Sequence, residues 1–151
     1  MTGWRGMNDF SSNVEQLEIT VLEACAHRGE WPEKVVAGIS AALDFAAANP
    51  DAARILAIDA RTSGSGSDYL RMVELFSHLF ASEAPCQPRL AVAPEQALVG
   101  GIAMMVAKHL RSGHLDRLGQ AAPELVYLAL LPYLGFDEAK RWASSAASPP
   151  V

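Results

Sequence analysis

Two stretches near the end of the chain carry no charged residue, and this feature most restricts the possible folds. The first covers residues 97–107 and the second residues 125–134. An ordinary surface helix has one apolar stripe and one polar face, whereas a helix that is apolar on every side must be covered on every side. In a chain of this size, about one central helix can be fully enclosed. We therefore expect each helix to face the core on one side and a second copy of the chain on the other, forming a four-helix bundle around a twofold axis. The alternative is a single well-buried core helix.

Gly100 and Gly101 interrupt the first of these stretches. Each glycine costs a helix about 1 kcal/mol relative to alanine. That cost is understandable where another helix passes close to the backbone. The predicted dimer interface combines these glycines with apolar neighbours on both helices, and its candidate residues are Leu98, Gly101, Ile102, Met105, Leu125 and Leu128.

The composition predicts a soluble all-α domain. Half of the residues are hydrophobic, with alanine and leucine dominant, and no stretch shows the alternation of a strand. The longest charge-free apolar stretch, residues 96–107, is shorter than the roughly 20 residues that a membrane span needs. The formal charge is −5 and no basic run occurs, so the chain alone is a poor candidate for binding nucleic acid.

Helical spacing of apolar residues, together with turn-forming residues, predicts a bundle of about six to seven helices. Residues 1–10 are expected to be a flexible remnant, residues 11–143 the domain, and residues 144–151 a disordered tail. The start of the helix ending at Leu134 is left open between Leu118 and Pro123. The predicted helices cover residues 12–27, 32–49, 52–60, 68–81, 95–112, 118 or 123–134, and 137–144.

The sequence contains no recognisable catalytic constellation. Gly64-Ser65-Gly66 does not meet the nucleophile-elbow pattern and has no flanking strand. The four histidines form no metal-binding motif, and no carboxylate lies inside an apolar run as a general acid would. Cys25 and Cys86 are far apart, the first expected in the core and the second in a loop, and no disulfide is predicted. We therefore expect neither enzymatic activity nor a metal or cofactor.

Aromatic and thioether side chains at helical spacing favour a pocket that binds a small apolar molecule. Such side chains adapt to varied ligand shapes. We expect the pocket between the helix that carries Met72 and Phe76 and the helix that carries Met105 and His109, with Phe45 nearby. The alternatives are that these side chains simply fill the core and that His109 is a partly buried histidine with its hydrogen bonds satisfied.

Several segments, in this order and spacing, resemble the C-terminal domain of the tetracycline-repressor (TetR) family of transcriptional regulators. The resemblance covers roughly residues 10–141. The segments are GEWPEKV at 29–35, LDF at 43–45, NPDAAR at 49–54, EQALVGGI at 95–102, Leu110 with Gly113, PELV at 123–126 and LPYLG at 131–135.

The resemblance implies a cytoplasmic homodimer in which a small apolar effector enters a pocket in each subunit and alters DNA binding. Members of the family begin with a helix-turn-helix unit, of which only residues 7–13 could match the tail, with Met7 in place of an aromatic and Asn13 in place of a basic residue. DNA binding would therefore require a missing N-terminal domain. Truncation, a misassigned start and a natural stand-alone domain all remain open. The alternative function is a helical dimer or protein-interaction module without a small-molecule ligand.

Overall fold

The computed structural model describes residues 10–62, 67–84 and 94–147, and this part of the chain is helical throughout its regular structure, with no strand. The all-α prediction is confirmed. A π-helical turn, Ile55–Asp59, separates α3 from α4, and a 3₁₀ helix, Leu115–Ala121, precedes α7. The helices are α1 Phe10–Cys25, α2 Trp31–Ala48, α3 Pro50–Arg54, α4 Ala60–Thr62, α5 Ser67–Ala81, α6 Pro94–Ser112, α7 Ala122–Leu134 and α8 Phe136–Ala147.

Proline, asparagine and glycine set the helix boundaries. The backbone N–H and side-chain Nδ2 of Asn49 both donate to the carbonyl oxygen of Phe45 at 2.9 Å, which ends α2 before Pro50 starts α3. Gly135 separates α7 from α8 with φ +86°, a conformation that strains any residue with a Cβ. This turn lets α8 fold back onto α7, with which it packs extensively.

Two boundaries near the end of the chain differ most from the sequence-based expectation. The chain enters α7 through the 3₁₀ helix, so helical structure starts before Leu118 while the α-helix itself starts at Ala122. The last helix continues to Ala147, beyond the predicted end at Ser144, because Trp142 and Ala146 pack against the core. The predicted tail was therefore wrong for residues 144–147.

Helix α2 occupies the centre of the bundle. It contacts α1, α3, α7, α8 and the 3₁₀ helix. Its buried side chains pack with those of α7 and with Leu118 in one core cluster. The most completely buried large side chains of this cluster are Leu43, Leu118, Val126 and Leu130.

Each charge-free helix has one buried and one exposed side. On α6, Ala107 is buried while Met104 is 59% exposed. On α7, Leu125 is buried while Leu128 is 58% exposed. A Cβ built on Gly101 meets no atom within 4 Å among the described residues, so no helix of the same protomer approaches it closely. Among the described residues, no helix combines the length and the apolar character required to cross a membrane.

Candidate ligand-binding cavity

An apolar cavity of about 250 Å³ lies among α1, α2, α5, α6 and the segment formed by α3 and the π-helical turn. It is partly open to solvent. Its wall is almost entirely aliphatic and aromatic, which is the usual character of a small-molecule site. The side chains that define its apolar part include Leu17, Val21, Ile39, Phe45, Leu56, Met72, Phe76, Leu79, Leu98, Ile102 and Val106.

Small residues on two sides of the cavity explain why the space is not filled. Gly38, Ala42 and Ala46 line it from α2, and Ala53 and Ala57 line it from the neighbouring α3 and π-helical segment. A small side chain places few atoms in the space in front of its backbone. The larger side chains of α5 and α6 close the remaining walls without reaching across.

The π-helical turn Ile55–Asp59 contributes Leu56 and Ala57 to the cavity wall. The N–H of Ala60 donates to the carbonyl oxygen of Ile55, five residues earlier. Such a turn inserts an extra residue into a helix and occurs frequently at functional sites. The insertion rotates the following residues, and it places both Leu56 and Ala57 in buried positions on the cavity side.

The polar groups of the cavity come from the ends of α1, α2 and α5. The ammonium of Lys34 donates to both carboxylate oxygens of Glu83 at 2.9 Å. The side chain of Lys34 is 25% exposed and that of Glu83 is 59% exposed. Ser82 also lines this region, and the thiol of Cys25 donates to the carbonyl oxygen of Lys34 at 3.3 Å. This end of the cavity is therefore its polar mouth.

Burial raises the pKa of the Cys25 thiol, and the Glu83 carboxylate acts in the same direction. The positive charges of Lys34 and Arg28 oppose this effect. Because the neutral thiol is favoured, Cys25 lacks the lowered pKa that activates a nucleophilic cysteine. It serves as a half-buried wall residue and not as a core residue as the sequence suggested. Cys86 lies outside the described residues.

An aromatic cluster of Trp31, Phe80 and Tyr133 closes the wall beside the mouth. The ring centroids lie 5.0–5.6 Å apart in edge-to-face arrangements. The indole N–H of Trp31 donates to the carbonyl oxygen of Phe80 at 3.0 Å, and the hydroxyl of Tyr133 donates to Glu95 at 3.1 Å. The cluster thus joins α2, α5, α6 and α7 at one end of the bundle.

The predicted ligand-binding residues divide into two groups. Phe45, Met72 and Phe76 line the cavity, whereas Met105 and His109 do not. Met105 packs against the core, and His109 lies beyond Val106, with its Nδ1 2.9 Å from the carbonyl oxygen of Met105. These two residues lie away from the cavity wall where they were expected, because helical spacing identified the apolar stripe of α6 but not which edge of the stripe faces the space.

The predicted interface residues differ in how much surface they expose. Leu125 is only 3% exposed and belongs to the core of its own protomer, so its assignment to an interface was wrong. Leu98 and Ile102 line the cavity and Met105 packs against the core, but all three keep part of their surface exposed, so their place in an interface stays a prediction. Gly101 and Leu128 are exposed, and Met104, which the prediction omitted, lies on the same side of α6 as Gly101.

The polar mouth was missed by sequence reasoning. Lys34 and Glu83 are 49 positions apart, and neither lies in a motif that indicates contact with the other. The apolar stripe of α1 was recognised as helical, but its position as a cavity wall was not. Gly64, Ser65 and Gly66, which the sequence predicts to form a loop, lie outside the described residues.

Within the described part of the chain, no group of three or more His, Cys, Asp or Glu side chains could hold a metal ion. The candidate site is therefore an apolar cavity with the Lys34–Glu83 ion pair at its mouth. Comparison of the chain with protein-family models, with curated proteins and with solved structures found no match.

Proposed function

We propose that this chain is the ligand-binding and dimerisation domain of a cytoplasmic TetR-type transcriptional regulator that senses a small apolar molecule. The apolar cavity is the observation that carries the proposal. An unfilled space forfeits dispersion contacts that a solid core would make, so its retention is understandable if a ligand supplies those contacts. The resemblance of the sequence to the family supplies the regulatory part of the proposal.

Helix α6 would couple the ligand to the dimer. Leu98 and Ile102 line the cavity from one side of this helix, while Gly101 and Met104 are exposed on another. A ligand that shifts α6 would therefore alter the surface that a second copy meets. In a two-state dimer, such a difference in contacts is what changes the separation of DNA-reading domains. Those domains would be helix-turn-helix units joined before α1.

The second copy would pack on the exposed apolar side of α6 and α7. Met104 and Leu128 project there, and Gly101 leaves open space in which the backbone of another helix could approach. Four helices, two from each copy, would then form the interface. A stable interface of this kind buries about 1,600 Å² in total.

The ligand experiment follows the indole N–H signal of Trp31 by NMR while small apolar molecules such as 1-decanol and naphthalene are added. Trp31 lines the cavity, so a bound molecule should shift its signal saturably. Ala42→Phe should block this shift because Ala42 lines the cavity. Ala47→Phe is the matched control, since Ala47 is exposed on the same helix. Failure of every probe to bind the unmodified chain would reject ligand sensing.

The dimer experiment measures sedimentation of the unmodified chain and of Met104→Glu and Leu128→Glu. Each new carboxylate would be buried without a partner at the proposed interface, so both variants should be folded monomers. Ile19→Glu on α1 is the control, because Ile19 is also a large exposed apolar residue. It should remain dimeric. A monomeric unmodified chain at micromolar concentration would contradict the proposal.

A second candidate function is a helical interaction module without a small-molecule ligand. The exposed Met104, Leu128 and Phe136, on α6, α7 and α8, favour it, since large apolar side chains left exposed are available to a protein partner. An intact dimer whose cavity accepts none of the probes would support this candidate over ligand sensing.

The chain alone should not bind DNA with sequence selectivity. Its formal charge is −5, and binding to phosphates requires clustered positive charge. A gel-shift assay at physiological salt with random and palindromic duplexes checks this expectation. Tight and selective binding by the chain itself would contradict it.

A further inference from the structure

The cavity is polar at one end only, and this asymmetry restricts the shape of its ligand. Lys34 and Glu83 stand at the mouth, whereas Phe45, Leu56 and Met72 line the apolar part. Along α2, Lys34 and Phe45 are eleven residues apart, which corresponds to about 16 Å at 1.5 Å per residue. An extended polypeptide covers roughly 3.6 Å for every three backbone bonds, and an extended alkyl chain covers a similar length for three carbon–carbon bonds. This wall therefore matches a ligand with an alkyl chain of about thirteen bonds.

The charge at the mouth favours an anionic group. Lys34 is the more buried member of the ion pair, and Glu83 the more exposed. The more buried charge at the mouth is therefore positive, and an anionic group on a ligand is complementary to it. The Arg28 guanidinium adds positive charge near the Cys25 thiol.

We propose that the cavity binds an amphiphile with a single alkyl chain ending in a carboxylate. The carboxylate takes the place of the Glu83 side chain on Lys34, and the alkyl chain extends along α2 towards Phe45. This inference rests on the proposed ligand-binding function and names the chemical class of the ligand.

The exchange of one carboxylate for another costs little at this site. Lys34 keeps an anionic partner throughout, and Glu83 is exposed enough to return to water. Exposed ion pairs contribute little to stability, so the loss of the internal pair is a small penalty. The alkyl chain provides most of the affinity, because each buried methylene strengthens binding about fourfold.

Isothermal titration calorimetry with alkanoates of increasing length, each below its aggregation concentration, tests the alkyl part. The dissociation constant should fall about fourfold per methylene and then level off when the chain exceeds the cavity. Decanoate is compared with 1-decanol and decylammonium to test the head group. Decanoate should bind roughly tenfold more tightly than 1-decanol, as expected for a hydrogen bond to a charged group.

Two variants assign the head group to its partners. Lys34→Gln should remove the preference for decanoate over 1-decanol, and 1-decanol binding that is retained would show that the cavity is intact. Glu83→Gln should strengthen decanoate binding several-fold, because it removes the competing carboxylate. If Lys34→Gln does not fold, the head-group series on the unmodified chain and on Glu83→Gln decides the question.

The outcomes separate this inference from the proposed function. Equal or tighter binding of 1-decanol or decylammonium would overturn the carboxylate assignment and leave ligand sensing in place. A preference for decanoate that persists in Lys34→Gln would also overturn it. If no member of any series binds, both the inference and the proposed function fail.

Discussion

The two sides of helix α2 are both apolar, yet one faces a solid core and the other faces an open space. Towards α7 and the 3₁₀ helix, Leu43 belongs to a cluster with Leu118 and Leu130, all at most 1% exposed. Towards α1 and α5, Gly38 and Ala42 border the cavity. Hydrophobicity therefore does not distinguish the two regions, whereas the completeness of packing does.

The difference has a physical basis in packing. Protein interiors are close-packed, and large side chains that interdigitate leave few voids. Where small side chains such as those of Ala42 and Ala46 line a space whose other walls are larger residues, fewer atoms are available to fill it. The comparison therefore predicts that equal substitutions will have unequal effects in the two regions.

The largest expected effect on stability comes from shortening a side chain in the solid region, that is, the core between α2, α7 and the 3₁₀ helix. Leu130→Ala should lower the free energy of unfolding by about 2–5 kcal/mol, because Leu130 is completely buried and its removal leaves a new void. Leu56→Ala should cost roughly half as much or less, since one side of Leu56 already faces empty space. Urea denaturation of both variants measures the difference. Equal losses would contradict the distinction between the two regions.

Enlarging a side chain should also be tolerated less well in the solid region than beside the cavity. Ala129→Leu, on α7 in the solid region, should destabilise the protein by about 1–3 kcal/mol through overpacking. Ala42→Leu should be neutral or stabilising, because the added atoms enter the cavity. Thermal unfolding compares the two variants, and a crystal structure of Ala42→Leu would show whether the space is filled. Equal destabilisation would mean that the cavity is closed in solution.

The aromatic cluster borders both regions, and removing one of its polar contacts should lower the free energy of unfolding by a smaller amount. Tyr133→Phe should lower the free energy of unfolding by about 0.5–1.5 kcal/mol, because the phenol then no longer donates to Glu95. Tyr127→Phe is the matched control, since the Tyr127 hydroxyl makes no hydrogen bond in the described part of the chain. Chemical denaturation should leave the control unchanged. If Tyr127→Phe lowered the free energy of unfolding more than Tyr133→Phe, the hydrogen bond from Tyr133 to Glu95 would not be a stabilising contact between the two regions.

The smallest expected effect is the pH dependence contributed by Cys25. Because burial raises its pKa in the folded protein, the folded chain holds the thiol proton more tightly than the unfolded chain does. The corresponding stability is present below the unfolded pKa and is lost as the pH rises through the folded pKa. In a Cys86→Ser background, the rate of alkylation by iodoacetamide should reach its midpoint at a higher pH in the folded than in the unfolded protein. A lower midpoint in the folded protein would indicate an activated thiol at the mouth.

Part of this structure could be predicted from local patterns. Apolar residues at helical spacing, with Pro32, Asn49, Gly113 and Gly135 at or near the boundaries, predicted the all-α class and the order of the helices. These signals act over three or four residues, which is the range over which a helix makes its own contacts. The presence of Phe45, Met72 and Phe76 around a common space could be predicted because adaptable side chains recur at that spacing.

The tertiary structure decided which face of each helix meets which neighbour. Helical spacing defines a stripe on α6, but the packing of the neighbouring helices determines that Ile102 borders the cavity and Met105 does not. The same holds for Lys34 and Glu83, whose pairing depends on how α2 and the end of α5 are placed. The π-helical turn at Ile55–Asp59 has no local signature either. Local sequence therefore determined the helices, whereas the cavity arose from long-range packing, because an empty space depends on atoms that approach from several distant segments at once.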